Sequence, residues 1–361
     1  MADSTRLVEL VHVRIDEFLN TRVPIVAAIS PDLTPLVDFS RQFLSGGKRF
    51  RALFCYSGWH SAGNAATDLS PAISAAAALE IFHAAALVHD DIIDNSDTRR
   101  GAASAHKLFE GMHGENAWAG NRDEFGRAAG ILLGDLLLGW SDELLDEGLD
   151  AVPDRSAARL ARAEFNRMRT EVTAGQYLDI LEERAWLTQP EAELLDRALR
   201  VIVFKSAKYS VQAPLVIRAA LAGASPAQLD ALRSFGLPLG IAYQLRDDLL
   251  GVFGDAAVTG KPSGDDLTEG KRTVLIALAR HAIADGPRST LDEQLGDPAL
   301  DPERIADLQR VIRDSGAVDQ VEAMIQANVA EALLALEEAP IGAGARQQLR
   351  SLVDRVTRRA F

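Results

Sequence analysis

The sequence has very little of several residues that define common protein classes. It contains one cysteine, Cys55, so no disulfide can form within the chain, and nothing indicates an oxidising compartment. We interpret Cys55 as a small buried apolar residue. Aromatic residues make up only 6% of the 361 residues, and alanine and leucine fill the long segments. This composition favours helix over sheet.

Basic residues are scarce relative to acidic ones. The chain has 38 lysines and arginines against 52 aspartates and glutamates, which gives a net charge of −14. Neutralising the phosphates of a nucleic acid requires a basic surface, so we expect no nucleic-acid partner. Anionic small ligands are not excluded, because a local basic pocket or bridging metal ions are enough to bind them.

Long uncharged apolar runs are also missing. No stretch reaches the roughly 18 uncharged apolar residues of a membrane span, and the nearest, from Pro71 to Val88, contains Glu80 and His83. The first residues carry charges throughout and lack the apolar core of a signal peptide. These features predict a cytoplasmic protein without stable membrane insertion.

What the sequence does have is helical periodicity along almost the whole chain. Near the N-terminus, one apolar face contains Leu7, Val11 and Phe18, and Val13 widens it. The pattern predicts an all-α fold with helices at 71–94, 127–148, 155–184, 190–223, 226–254, 270–285, 302–314 and 317–338. The segments 109–125, 254–270 and 286–301 are predicted connections. No shift in composition accompanies them, so we expect residues 1–361 to form a single domain.

The first candidate site is an acidic helix end. Asp90 and Asp94 are one helical turn apart, and Asp91 lies close to both. Like charges at this spacing repel, and Mg²⁺, which shares carboxylate sites with substrate phosphates, would offset the repulsion. Taken alone, the pattern fits a solvated helix end equally well. Arg99 and Arg100 follow directly, and guanidinium groups beside a metal site suit a diphosphate.

Two further segments carry charge in a phosphate-binding arrangement. Gln244, Asp247 and Asp248 end another apolar helix and precede a glycine-rich loop with Lys261 and Lys271. Its glycines let the backbone approach a ligand, although an ordinary flexible connection fits as well. Upstream, the sequence GGKRFR at 46–51 fits either a phosphate-binding helix start or a basic surface turn. It is not a P-loop, because the required spacing is missing.

In chain order, these segments resemble the trans-prenyltransferase (polyprenyl diphosphate synthase) family, as represented by geranylgeranyl and farnesyl diphosphate synthases. The resemblance extends from about Phe43 to Leu278. The family's motifs are matched by GGKRFR at 46–51, DDIIDNSDTRRG at 90–101, GDLLL at 134–138, GQYLD at 175–179, KSAKYS at 205–210, and the stretch from Tyr243 to Thr273.

The resemblance implies the isoprenoid synthase type I fold, a helical bundle around a deep central cavity with both aspartate motifs at its mouth. About three Mg²⁺ ions are expected to bind carboxylates, and these are Asp90, Asp94 and Asp247, with Asp91 and Asp248 assisting. The residues expected to hold the allylic diphosphate are Arg99, Lys205 and Lys261, with Gln244 and Lys271 nearby. The residues expected to hold isopentenyl diphosphate are Lys48, Arg51, His83 and Arg100.

The implied reaction is the condensation of an allylic diphosphate with isopentenyl diphosphate. Cleavage of a carbon–oxygen bond creates a carbocation and a diphosphate leaving group, whose negative charge the metal ions and cationic side chains stabilise. The isopentenyl double bond attacks the cation, and a proton is then lost. A homodimer is expected from the family.

Two positions depart from the family pattern, and three bear on product length. Gly251 stands where the second motif usually has its third aspartate, and Ala52 replaces a proline. Ala85 and Ala86 replace the bulky aromatics of farnesyl-making relatives, so the growing chain is expected to pass them. Phe82, about one turn of 5.4 Å deeper, is either the floor of the cavity or a core residue.

Geranylgeranyl diphosphate is therefore the favoured product, with farnesyl and longer products left open. Three other classes compete with this interpretation. A terpene cyclase would not need the isopentenyl site, and a non-catalytic partner subunit would usually lose its aspartate motifs. A helical-repeat scaffold would need a fixed repeat period, which the sequence lacks.

Overall fold

The structure, a computed structural model, describes residues 2–46, 49–61, 69–255 and 263–357. Within these ranges every long element is a helix. The only strands there are β1 (Thr98–Arg99) and β2 (Ala102–Ala103), which pair antiparallel. The prediction of an all-α fold is confirmed.

The chain packs into two compact units. The first consists of Met1–Arg162 and Ile217–Ala224, and the second of Ala163–Val216 and Ser225–Phe361. That residues 1–361 form one domain around a central cavity stays a prediction.

The first unit is built mainly from six helices. They are α1 (Ala2–Ile29), α2 (Thr34–Leu44), α3 (Phe50–Ser61), α4 (Ser70–Ile93), α5 (Ala105–Glu115) and α6 (Arg122–Asp150). The start of α7 (Arg155–Ala185) and the end of α9 (Ala213–Leu221) also belong to it.

The second unit holds the rest of α7 and α9 and the helices between and after them. These are α8 (Leu194–Val201), a π-helix (Ile202–Gln212), α10 (Pro226–Phe253), α11 (Asp265–Glu269), α12 (Val274–Ala282), α13 (Asp285–Gln294), α14 (Pro302–Asp314), α15 (Ala317–Glu338) and α16 (Ala343–Thr357). Single 3₁₀ turns occupy Pro31–Leu33, Trp186–Thr188 and Glu191–Glu193. A core of buried residues from α8, α10, α12, α14 and α15 holds the unit together.

The structure differs from the sequence-based boundaries in several places. The predicted connection at 109–125 contains the end of α5, which is held by an edge-on contact of Phe109 with Phe39 on α2 at 4.8 Å. The connection at 286–301 contains most of α13. The helix predicted at 190–223 is divided by the π-helix, which a 3.6-residue periodicity cannot reveal. Val13 is exposed rather than part of the buried face.

Helix α4 is the centre of the first unit. It is the one described helix that is long and apolar enough to cross a membrane by length and composition, with a mean hydropathy of 1.6 over its most apolar window. Of that window, 78% is buried within the protein, as expected of a core helix.

Close packing of α6 against α4 depends on glycines of α6. A Cβ at Gly130 would lie 2.9 Å from the Cδ1 of Ile92, and one at Gly148 would lie 2.8 Å from the Cβ of Ser74. Ser141 of α6 also donates a hydrogen bond to the carbonyl of Ala78, at 2.8 Å. The absence of a side chain at Gly130 and Gly148, together with the hydrogen bond from Ser141, therefore fixes the position of α6 along α4.

A buried ion pair connects the start of α3 to α4. The Nη1 of Arg49 lies 3.0 Å from Glu80 Oε2, and both side chains are almost fully buried. Arg49 also donates to the carbonyl of Leu44, and Glu80 Oε1 accepts from the backbone N–H of Ala52 at 3.2 Å. Because every charge in this group is paired, the loss of one partner would leave an uncompensated buried charge.

We predict that Glu80→Ala lowers the free energy of unfolding by about 3–5 kcal/mol, the usual cost of breaking a buried pair from one side. The measurement is chemical denaturation followed by circular dichroism. Asp307→Ala is the control, because its pair with Arg310 at 2.6 Å is exposed and should contribute less than about 1 kcal/mol. Equal effects from the two variants would contradict the prediction.

Candidate active site

A tight hairpin places Arg99 beside the acidic end of α4. The hairpin pairs Arg99 with Ala102, and the two residues of its loop, Arg100 and Gly101, have φ values of 54° and 76°. Positive φ at both loop positions defines a type I′ turn, whose twist matches the strands on either side. The turn sends the chain back within two residues, so Arg99 lies close to the preceding helix.

Asp91 anchors Arg99. Its side chain has 0% exposure, and its Oδ1 accepts from Arg99 Nε at 2.8 Å and also from Nη2. Asp90 lies farther from the same guanidinium, 3.5 Å from Nη2, and is more exposed. Of the first two aspartates, Asp91 is thus occupied by a protein cation, and Asp90 is the more accessible to a ligand.

The position of these carboxylates on the helix is unfavourable in itself. Asp94 caps the C-terminal end of α4, and its N–H bonds to the carbonyl of Asp90 at 2.8 Å. The C-terminal end of a helix carries partial negative charge and disfavours carboxylates by about 0.3–1 kcal/mol each. Cations are therefore needed at this end, and Arg99 supplies one of them.

His83 lies on the same helix, α4, and arginines from other parts of the chain lie near it. The pKa of the partly buried His83 imidazole is well below its ordinary value, first because it is desolvated and then because Arg51, Arg100, Arg99 and Arg49 repel a further positive charge. His83 is therefore neutral at neutral pH and can donate one hydrogen bond to an anion. Lys48, the remaining residue predicted here, lies outside the described residues.

The π-helix of the second unit determines the position of Lys205. A Cβ at Gly175 of α7 would lie within 2.8 Å of backbone atoms of Phe204 and Lys205. A Cβ at Gly240 of α10 would lie within 2.9 Å of backbone atoms of Ala207. Two glycines therefore let α7 and α10 contact the backbone of the wider π-helical turns directly.

Asp179 is a site residue that sequence reasoning missed. Its Oδ2 lies 2.5 Å from the Nζ of Lys205 and 3.8 Å from that of Lys271, so it pairs with two lysines predicted to bind diphosphate. Lys271 also lies 3.5 Å from Glu269. The signal in the sequence was the motif GQYLD, of which Asp179 is the last residue.

Hydrogen bonds and an ion pair made by residues of α10 hold the second aspartate motif in place. Arg246, nearly buried, pairs with both carboxylate oxygens of Glu322 on α15, at 2.5 and 2.7 Å. Gln244 donates to Asp248 Oδ1 at 2.8 Å, one helical turn away. Burial raises the pKa of Asp248 well above its ordinary value, and repulsion from Asp266 and Asp247 acts in the same direction.

A cavity of about 100 Å³ lies among these groups in the second unit. Its lining includes Asp179, Lys205, Gln244, Asp248, Asp266 and Lys271. Acidic and basic side chains thus border the same space, as expected where a metal ion and an anion bind together. Lys261, also predicted here, lies outside the described residues.

The donor set of both aspartate motifs suits Mg²⁺. Hard divalent cations prefer carboxylate oxygens and share them with phosphates, and each motif gathers carboxylates at the negative end of a helix. In the part of the chain that the structure describes, no three His, Cys, Asp or Glu side chains form a ready-made metal cluster. The carboxylates fit the ion in kind, although Asp91 and Asp179 are bound to protein cations instead.

The three positions predicted to control product length differ in exposure. Phe82 and Ala85 are buried, whereas Ala86, on the next position of α4, is partly exposed. Of these three residues, only Ala86 is therefore partly accessible.

Comparison with known proteins identifies the class to which this fold and site belong. The model of the polyprenyl synthetase family matches residues 35–312. The chain therefore belongs to the polyprenyl synthetase family, and the resemblance found in the motifs is confirmed.

Individual relatives narrow the class. The chain is 30% identical to the geranylgeranyl diphosphate synthase of Sulfolobus acidocaldarius, over 82% of this chain and 83% of the relative. It is also 30% identical to the geranylfarnesyl diphosphate synthase of Aeropyrum pernix, over 87% and 91%.

Among solved structures, the geranylgeranyl pyrophosphate synthase of Corynebacterium glutamicum, complexed with isoprenyl diphosphate and magnesium, has a TM-score of 0.92. It is 40% identical, with coverage of 98% of this chain and 99% of that one. The isoprenoid synthase type I fold expected from the sequence is confirmed.

We predict that Gly175→Ala lowers the free energy of unfolding by about 1–3 kcal/mol, because backbone atoms cannot move aside for the new methyl group. Thermal and chemical denaturation would measure the change. Gly111→Ala is the matched control, since a Cβ there meets nothing within 4 Å in helix α5. That variant should gain about 0.5–1 kcal/mol, and a gain in both variants would refute the close approach at Gly175.

Proposed function

We propose that this enzyme is a Mg²⁺-dependent prenyltransferase that condenses isopentenyl diphosphate with an allylic diphosphate, giving geranylgeranyl diphosphate. The observation that carries the proposal is the basic set around His83, in the same unit as the acidic end of α4. One diphosphate held through metal-binding carboxylates and another held by guanidinium groups are what a condensation of two diphosphates requires. A terpene cyclase would not need the second.

Each predicted residue has a role in this reaction. The carboxylates proposed to bind Mg²⁺ are Asp90, Asp94 and Asp247, with Asp91 and Asp248 assisting and about three ions in total. Bound Mg²⁺ would stabilise the negative charge that develops on the diphosphate leaving group. The residues proposed to hold the allylic diphosphate are Arg99, Lys205, Lys261, Lys271 and Gln244, and those proposed for isopentenyl diphosphate are Lys48, Arg51, His83 and Arg100.

The structure supports a division of labour among these residues. Asp91 is fully buried against Arg99, so its proposed contribution is to orient that guanidinium toward the diphosphate. Asp179 performs the same task for Lys205 and Lys271. Neutral His83 would donate a hydrogen bond without adding charge to an already crowded set of arginines.

The proposed product length is based on the small side chains of α4. The small side chain of Ala86, which is partly accessible, leaves space where a bulky one would stop a growing chain, whereas the neighbouring Ala85 is buried. The similarity to several geranylgeranyl diphosphate synthases supports a twenty-carbon product. The similarity to a geranylfarnesyl diphosphate synthase keeps a product one unit longer as the second candidate.

We further propose a cytoplasmic homodimer. Ile131 and Leu132 are large apolar residues exposed on the surface of α6, and their burial in a subunit contact would be favourable.

The proposed reaction predicts one chain length. Purified protein would be incubated with Mg²⁺, labelled isopentenyl diphosphate and dimethylallyl, geranyl or farnesyl diphosphate in separate reactions, and the dephosphorylated alcohols would be separated by chromatography. Geranylgeraniol is the expected product. Asp90→Ala and Asp247→Ala should reduce turnover at least about 100-fold while the circular dichroism spectrum stays unchanged. Elongation at wild-type rates in either variant, or none in the wild type, would overturn the proposal.

We predict that Ala86→Phe shortens the product toward farnesyl diphosphate, because an aromatic ring there would close the accessible space beside α4. Ala85→Phe is the control. Its side chain is fully buried, so the larger ring should cost about 1–3 kcal/mol of stability through overpacking and should alter product length less. An unchanged product from Ala86→Phe would show that the limit to chain length lies elsewhere.

A further inference from the structure

Arg272 is a cation to which the proposed reaction assigns no role, although it directly follows Lys271. Residues 271–273 lie between α11 and α12, outside regular secondary structure, and Arg272 borders the same cavity as Lys271. The guanidinium carbon of Arg272 lies over the indole ring of Trp186, 5.9 Å from the ring centroid. A cation at this distance from an aromatic face is attracted to it. The segment therefore has a second contact, separate from the one that Lys271 makes with Asp179.

Trp186 is a fixed support for this contact. The residue is 1% exposed, and it packs against Leu194 of α8 and Ala277 of α12. Nε and Nη1 of Arg272 and the indole nitrogen of Trp186 are buried, and none of them has a hydrogen-bond partner among the residues that the structure describes. The face of the ring, rather than hydrogen bonds from these nitrogens, therefore holds the guanidinium.

The surroundings of the indole ring favour a cation. Trp186 directly follows α7, whose C-terminal end carries partial negative charge. Burial lowers the pKa of Arg272, and the nearby carboxylates of Asp292 and Glu183 act in the opposite direction. The guanidinium stays protonated, so an apolar side chain at position 272 would lose its attraction to the ring and to these acids.

The two adjacent cations contact α7 and the turn that follows it at two separate points. Lys271 Nζ lies 3.8 Å from Asp179 Oδ2, whereas Arg272 lies over Trp186. Asp179 and Trp186 are seven residues apart, about two helical turns, so they lie on nearly the same side of the helix. One contact would leave the segment free to pivot, and two contacts fix its direction along α7.

Asp179 alone does not fix the position of Lys271. The distance of 3.8 Å is longer than a hydrogen bond, and the same carboxylate oxygen is 2.5 Å from the Nζ of Lys205. Lys271 also lies 3.5 Å from Glu269, but that residue is only two positions earlier in the chain. A lysine ammonium on a flexible four-carbon stem therefore depends on the placement of the backbone that carries it.

We infer that Arg272 is a positioning residue for the allylic diphosphate: stacked on Trp186, it holds Lys271 beside Asp179, where the ammonium can reach that substrate. The inference rests on the proposed function, which assigns Lys271 to the allylic diphosphate. Its consequence is that loss of the guanidinium weakens diphosphate binding through Lys271.

The first test measures the binding of inorganic diphosphate to the full-length protein in the presence of Mg²⁺, by calorimetry. Arg272→Met should weaken binding about tenfold, as is usual when a group that orients a binding residue is removed. Arg272→Gln replaces this variant if it does not fold. Trp186→Phe keeps an aromatic face and should bind within about threefold of the wild type.

Arg169→Met is the matched control. Arg169 lies over the ring of Phe165 at 5.4 Å, a contact of the same kind and similar length, made within α7 itself. Its loss should leave diphosphate binding at the wild-type value, because neither residue contacts Lys271 or Asp179 in the described part of the chain. Equal weakening by Arg169→Met and Arg272→Met would contradict the inference.

A double-variant cycle decides whether Arg272 acts through Lys271. If it does, adding Arg272→Met to Lys271→Met should change the affinity for diphosphate less than about twofold, because effects that share one route are not additive. A further tenfold loss in the Lys271→Met background would show that Arg272 acts independently, and the inference would be wrong.

Steady-state kinetics separate positioning from a general loss of structure. Arg272→Met should raise KM for the allylic diphosphate about tenfold and leave KM for isopentenyl diphosphate within about twofold. The circular dichroism spectrum should stay unchanged. An equal rise in both KM values would indicate a structural defect and overturn the inference.

Failure of the inference and failure of the proposed function give different results. If the wild type elongates a prenyl chain and Arg272→Met binds diphosphate as tightly as the wild type, the inference is wrong and the function stands. If the wild type neither elongates nor binds diphosphate with Mg²⁺, the proposed function itself is wrong, and the inference falls with it.

Discussion

Attraction between carboxylates at helix ends and the cations that neutralise them is the interaction on which the rest of this structure depends. Helices α4 and α10 both carry aspartates near their C-terminal ends, where the helix dipole is itself negative. At α4, Arg99 neutralises Asp91 from within the chain. At α10, Asp248 accepts a hydrogen bond from the amide of Gln244 and lies near Asp266 and Asp247. An added cation would therefore lower the repulsion at the second motif, and Mg²⁺ bound with a diphosphate would supply one.

The positions of the charged groups depend in turn on residues without side chains. Gly134 of α6 lets the His89 ring lie against its backbone, since a Cβ there would fall within 2.7 Å of three imidazole atoms. His89 directly precedes Asp90, so this contact also fixes the end of α4. Gly175 and Gly240 do the same for the π-helix that carries Lys205. A charged side chain keeps a fixed position only when the backbone that carries it cannot shift, and close backbone contacts prevent such a shift.

The sequence predicted the helices and indicated the candidate site residues, because helical periodicity and short motifs are local signals. Helices α14 and α15 begin and end where the pattern placed them. The π-helix was missed because an added residue in a turn leaves the apolar pattern nearly unchanged. Asp179 was missed for another reason. Its role depends on contact with Lys205, a partner distant in sequence, and the motif GQYLD by itself does not reveal that contact.

A net charge of −14 and a preference for diphosphates are compatible because the basic groups are concentrated rather than numerous. The pKa of His83 is lowered by repulsion from four arginines, which are Arg49, Arg51, Arg99 and Arg100. Two of these arginines pair with buried acids: Arg49 with Glu80, and Arg99 with Asp91. A further positive charge on the imidazole would add repulsion, and the lowered pKa of His83 avoids it. An anionic substrate would relieve the remaining repulsion among the arginines directly. A second anionic substrate beside the aspartates can bind only if metal ions lie between its negative charges and the carboxylates. The two diphosphates would therefore be bound by different groups, one by guanidinium groups and the other by Mg²⁺ ions.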